Sequence, residues 1–102
     1  MVKNIMQDSG NYEYYTPMFI VEAARATMKG IDLDPASSSQ ANERVKANKF
    51  FTLEDDALLQ EWYGRVWMNH PFSRSNNILF VKKLAESYRR GQVQEACCIT
   101  FA

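Results

Sequence analysis

The period of apolar and polar positions changes several times along this chain, and each change marks an element. From Thr16 onward, Met18, Val21, Ala24 and Met28 recur at helical spacing, with Phe19 and Ile20 widening the apolar face. This predicts a helix over residues 17–29, with Thr16 at its N-cap, Pro17 at its first position and Gly30 ending it. Ile31-Asp32-Leu33-Asp34 alternates apolar and acidic residues, as a short strand does, and runs into the small-residue turn Pro35-Ala36-Ser37-Ser38-Ser39. Residues 40–48 read as a short helix with a mixed surface, and Phe50-Phe51 as a short strand or packed loop. Glu54-Asp55-Asp56 ahead of Ala57-Leu58-Leu59 and Trp62 predicts an acidic helix start followed by an apolar stripe, broken at Gly64. Val66-Trp67-Met68 forms the heart of a strand over 65–69. Ser75 or Asn76 can cap a helix over 77–90 that carries Ile78, Val81, Leu84, Ala85 and Tyr88 on one face. Arg89 and Arg90 sit in its last turn, Gly91 closes it, and residues 95–101 form a final apolar strand.

Strands alternating with helical patterns indicate an α/β domain with a largely parallel sheet of about four strands. Residues 1–13 are polar and irregular and read as an N-terminal arm, leaving 14–102 as a single domain. The expected core is Met18, Val21, Leu33, Leu58, Trp67, Val81, Leu84 and Ile99. Trp62, Phe50 and Phe51 belong with it, because large aromatic rings dominate small cores.

Composition narrows the picture. A chain of 102 residues holds one domain, and 46% hydrophobic with 24% charged residues is ordinary for a globular one. Lys plus Arg number 12 and Asp plus Glu 12, so there is no global field for polyanions, though a local basic face stays open. Lys82, Lys83, Arg89 and Arg90 lie on or near the outer face of the last helix. A solvated face is the default there and a phosphate-binding stripe the alternative. No apolar stretch approaches the ~20 residues of a membrane span, and no basic-then-apolar leader opens the chain. Cys97 and Cys98 are adjacent in an apolar run, which predicts buried thiols in a reducing cytoplasm rather than a disulfide. One histidine and no spaced cysteine pair argue against a zinc site.

The candidate chemistry lies just past strand ends. In parallel sheets ligands bind at the carboxyl ends of the strands. Asp34-Pro35 and Asn69-His70-Pro71-Phe72 both follow such ends and are expected to face one crevice. An amide at the end of a buried strand, a proline-stiffened turn and an aromatic ring together suit a planar amine. The Asn69 side-chain oxygen and the next backbone carbonyl can accept from an exocyclic NH2, and Phe72 can stack on the heterocycle that carries it. Methylating the amino group of a base taken out of its stack needs this arrangement. Plainer readings stand beside it: Asp34-Pro35 as an ordinary turn, and Glu54-Asp55-Asp56 as a dipole-compensating helix start.

From Tyr14 to the end, the chain resembles the phage-type, Dam-like DNA adenine-N6 methyltransferases. The resemblance rests on Tyr15-Thr16-Pro17, Asp32-Leu33-Asp34-Pro35-Ala36, Phe51-Thr52 and Glu54-Asp55-Asp56-Ala57-Leu58. Trp62 and Val66-Trp67-Met68-Asn69 with Pro71-Phe72-Ser73 complete it. It implies a single Rossmann-like methyltransferase domain using S-adenosylmethionine as methyl donor. Thr16 and Pro17 would lie near the donor's amino-acid end, Asp34 on the donor side of the crevice, and Asp55 or Asp56 near its ribose or adenine. Asn69 with the following carbonyl would hold the target amine, and Phe72 would stack on the target base. In the family pattern Asn-Pro-Pro-Tyr/Phe, this chain has His70 where the first proline stands. It also stops at Ala102, where family members continue, so the sheet is expected to be incomplete on its C-terminal side.

Two functions are compatible with these residues. One is an adenine methyltransferase acting on DNA, for which a homo-oligomer is one way to complete the DNA-facing side. The other is a shortened methyltransferase fold, without catalysis, that binds and inhibits a host defence complex as an anti-restriction or anti-CRISPR protein. Retained Thr16, Pro17, Asp34, Asn69 and Phe72 favour the first, whereas zero net charge and His70 favour the second.

Overall fold

The computed structural model describes residues 16–69 and 74–99. The described residues hold three α-helices and four strands, in the order α1 (Met18–Met28), β1 (Leu33–Asp34), α2 (Ser39–Val45), β2 (Lys49–Phe50), β3 (Gly64–Asn69), α3 (Arg74–Arg89) and β4 (Val93–Ile99). Two 3-10 turns, Leu53–Asp55 and Ala57–Leu59, lie between β2 and β3. The strands form one sheet in the order β2-β1-β3-β4, and every pairing is parallel. This is the expected α/β fold, consistent with a Rossmann-like methyltransferase domain.

Both faces of the sheet are covered, which gives three layers. Alternation along β3 sends Val66 and Met68 to one side, where they pack with Leu33, Trp62, Leu84 and Val93 beneath α3. Trp67 points the other way and packs with Val21, Ala24 and Met28 of α1 and with Val45 and Ala47. Val21, Leu33, Trp67 and Leu84 are buried as expected, whereas Met18, Leu58 and Ile99 are only half-buried.

Several local expectations are corrected. Pro17, not Thr16, is the N-cap of α1, with extended ψ of 143° and no side-chain cap. Lys29 takes the left-handed C-cap at φ 64°, one residue before Gly30. α2 stops at Val45 because Lys46 is left-handed, and Asn42 then bridges to Ala47 through both its side-chain atoms. No helix follows Glu54-Asp55-Asp56. Asp56 at φ 53° separates the two 3-10 turns, and the Asp55 carboxylate closes a capping box on Thr52. Leu53 and Leu59 are accordingly 94% and 80% exposed.

The last helix differs most. Its sheet-facing stripe is Phe80, Leu84 and Ser87, with Phe80 tilted against Trp62 at a centroid distance of 5.6 Å. Ile78, Val81, Ala85 and Tyr88, expected inside, are exposed. β4 is the edge strand among the described residues, so the flank of α3 beyond it has no sheet to pack against. A shallow groove between α3 and β4 is lined there by Val81, Ala85, Tyr88, Ala96 and Cys98. The same alternation leaves Cys98 exposed and Cys97 half-buried, against the expectation of two buried thiols.

Candidate functional site

The chain runs from β1 outward to β2, then returns to place β3 on the opposite side of β1. The order of strands therefore reverses between β1 and β3, and such a switch point opens a crevice at the carboxyl ends. Leu33 pairs with Val66, so Asp34 lies beside Trp67 and Asn69 ends β3 two residues further on. Asp34 is opposite in pleat to Leu33, and Asn69 shares the pleat of Trp67. Both therefore end on the α1 side of the sheet.

Asp34 is only 2% exposed. Its Oδ1 accepts from the Ala36 N–H at 3.1 Å. Burial pushes its carboxyl up to about 7, with the Ala36 N–H and the Ser37 hydroxyl pulling the other way. The turn after it is fixed to β2: the Phe51 N–H donates to the Asp34 carbonyl at 3.0 Å, and the Ser37 N–H to the Phe51 carbonyl at 2.9 Å.

Thr16 and Pro17 come to the same end of the sheet by a longer route. The C-terminal carbonyls of α1 receive Arg65, at the start of β3: Nη1 donates to Lys29 at 2.6 Å. α1 therefore runs antiparallel to the strands, and its N-terminus points to their carboxyl ends. Asp55 and Asp56 come after the carboxyl end of β2, the outer edge strand, with Asp55 closing the first 3-10 turn and Asp56 between the two turns. Asp55 Oδ2 accepts from the Thr52 N–H at 2.7 Å and the Thr52 hydroxyl at 3.1 Å, so its carboxylate is held within its own turn. Asp56 is exposed. His70, Pro71 and Phe72 lie outside the described residues.

The chain matches the model of the family described as DNA N-6-adenine-methyltransferase (Dam) over residues 4–98. It belongs to the Dam family. No curated protein and no solved structure matches it. Membership makes this a DNA adenine methyltransferase-like protein, from a family that generally uses S-adenosylmethionine. No helix among the described residues is long and apolar enough to cross a membrane.

Three features of the Dam-family chain were not legible beforehand. Asn77 lies one turn before Phe80 on the core-facing stripe of α3, and its Oδ1 is buried without a hydrogen-bond partner. An orphaned buried acceptor is rare enough to need a reason. Arg25 and Arg44 cross between α1 and α2 to reach backbone carbonyls. Asp32 and Arg65 form a clasp at the amino end of the sheet. None has a local sequence signal, because each partner is at least 19 residues away or is missing.

Proposed function

We propose that the chain is an S-adenosylmethionine-dependent DNA adenine-N6 methyltransferase. The observation that carries the reading is the convergence of Asp34 and Asn69, on neighbouring strands and one sheet face, at the switch point of a Dam-family domain. The polar groups available suit the donor. Its ammonium, ribose hydroxyls and adenine amine all donate hydrogen bonds, and the Asp34 carboxyl is an acceptor. Thr16, Pro17 and Asp34 would hold it, with Asp56 near its ribose or adenine. Asp55 is the weaker choice of the two acids, since its carboxylate already serves Thr52. The bound donor would supply an electrophilic methyl group, its S–CH3 bond breaking as the N–C bond forms so that the sulfonium leaves as a neutral thioether.

The protein's part is to hold and polarise the target amine. The adenine amino nitrogen is a poor nucleophile because its lone pair is delocalised into the ring. The Asn69 side-chain oxygen and the following backbone carbonyl would accept its two hydrogens. This favours a pyramidal nitrogen and stabilises the positive charge that grows as the N–C bond forms. A proton then leaves the nitrogen for water. Stacking on Phe72 would fix the ring, and holding the reacting atoms in line supplies much of the remaining acceleration. Pro71 would bias His70 toward extended backbone, which would leave the His70 carbonyl available to the amine.

The test is transfer of labelled methyl from S-adenosylmethionine to unmethylated adenine-containing DNA. Activity is expected in the unmodified chain, raised by His70→Pro and abolished by Asn69→Ala. Activity that survives Asn69→Ala would refute the chemistry. A folded protein inactive both unmodified and as His70→Pro would overturn the enzyme. That result would favour the second reading, a phage-borne inhibitor of a host defence complex, for which His70 and zero net charge speak.

A further inference from the structure

α1 lacks a cap of its own. Pro17 supplies no N–H and no side-chain acceptor, and no side chain caps the helix N-terminus. Pro17 biases Thr16 toward extended backbone, but no side chain at the helix start ties this segment to the rest of the fold. A residue from elsewhere does so: Arg44, in the last turn of α2, donates from Nη2 to the Thr16 carbonyl at 3.0 Å.

Arg44 is itself anchored. Arg25 of α1 donates from Nη1 to the Val45 carbonyl at 2.6 Å and from Nη2 to the Arg44 carbonyl at 3.4 Å. A guanidinium there satisfies carbonyls left over at the end of α2 and complements its dipole. At its other end α2 is capped by Ser38, whose hydroxyl accepts from the Ala41 N–H at 3.0 Å. Ser38 follows directly on Asp34-Pro35-Ala36-Ser37. α2 is thus a short rigid bar, fixed to the turn after Asp34 at one end and gripping Thr16 through Arg44 at the other.

We infer that Arg44 is a positioning residue for the methyl donor, setting Thr16-Pro17 at a fixed distance from Asp34. This rests on the donor-site reading above. The two chain segments expected to hold the donor are far apart in sequence, so their spacing is set only by tertiary contacts between them. Arg44 joins them before the ligand arrives, and pre-set contacts raise affinity by reducing what must be ordered on binding. Lysine replaces the planar fork with a single rotatable charge and should reproduce the grip only in part.

Calorimetric titration with S-adenosylmethionine tests this on the full chain. Arg44→Ala should weaken binding about tenfold or more, the scale of one lost charge-assisted hydrogen bond. Arg44→Lys should fall between it and the unmodified protein. Methyl transfer should show a raised KM for the donor with kcat unchanged. Without ligand, amide exchange at Phe19–Val21 should quicken in Arg44→Ala. Equal affinity in all three proteins would overturn the inference while leaving the donor site standing. So would a fall in melting temperature and kcat with affinity unchanged, which marks a purely structural role. An unmodified chain that binds no S-adenosylmethionine would overturn both the donor site and this inference.

Discussion

Asp32 and Asp34 belong to the same short segment, two residues apart on one pleat, yet they are opposite in electrostatic character. Asp32, at the amino end, meets a cation. The Arg65 N–H and Nε both donate to its Oδ2 at 2.8 Å, and Nη2 donates to Oδ1 at 2.8 Å. These contacts hold its carboxyl down at about 2. Gly64 makes room for the clasp: at φ 74°, a Cβ there would lie 2.5 Å from Asp32 Oδ2. Asp34, at the carboxyl end, is buried with one backbone N–H and the Ser37 hydroxyl, and its carboxyl rises to about 7. One end of the sheet neutralises its charge and locks α1 to β3. The other keeps an acceptor enclosed at the carboxyl ends of the strands, where the proposed donor site lies. On that reading, stability and function are divided between the two ends of the same strands.

The strongest way to break this comparison is to remove what lies between the ends. Trp67 is buried against α1, on the same stripe as Arg65 and Asn69. Trp67→Ala should cost ~3–5 kcal/mol in urea unfolding. A loss under ~1 kcal/mol would mean that the ring does not support the sheet.

The Asp34 end should respond to pH in the neutral range. Its carboxyl is raised from 3.8 to about 7 in the folded protein, so the folded state keeps a proton that the unfolded chain has released. Stability should therefore fall as pH rises from about 4 to about 7 and then level off, by up to ~4 kcal/mol at ~1.4 kcal/mol per pKa unit. Asp34→Asn should flatten the curve in this window, measured by urea unfolding at pH 5 and pH 8. An unchanged slope would assign the pH dependence to another group.

Asn69→Ala isolates the site from the scaffold. Methyl transfer should fall below detection, a loss of at least ~10²–10³-fold for one preorganised polar contact, with little change in melting temperature. A large stability loss instead would make Asn69 part of the fold.

The Asp32 end should show the opposite pH dependence, and more weakly. Its contribution is present above about pH 4 and lost as pH falls through about 2. Solvent and salt screen it, because the Arg65 and Asp32 side chains remain 30% and 22% exposed. Asp32→Asn should remove the part of the acid-induced drop in melting temperature that low salt exaggerates. The smallest effect belongs to the exposed Arg89–Glu86 pair, at 69% and 55% exposure: Arg89→Gln should leave the melting temperature unchanged.

The sequence by itself determined the order of elements apart from the helix expected after Glu54-Asp55-Asp56, the parallel α/β class, the burial of Trp67 and the positions of Asp34 and Asn69 at strand ends. These are local properties, set by a period of 3.6 or 2 and by turn residues within a few positions. Tertiary structure decided the rest. The last helix carries two overlapping apolar stripes that share Leu84, and periodicity alone favoured Ile78, Val81, Leu84, Ala85 and Tyr88. Contact with Trp62 and the sheet kept Leu84 inside and selected Phe80 in place of the others. The acidic run at Glu54-Asp55-Asp56 read as a helix start until the left-handed Asp56 divided it. Asp32 and Asp34 are the same residue in the same alternating pattern, and their charges differ because Arg65 comes from 33 residues away to reach one of them. Burial and partnership depend on which distant segments fold together, and a pattern read along the chain contains no term for that.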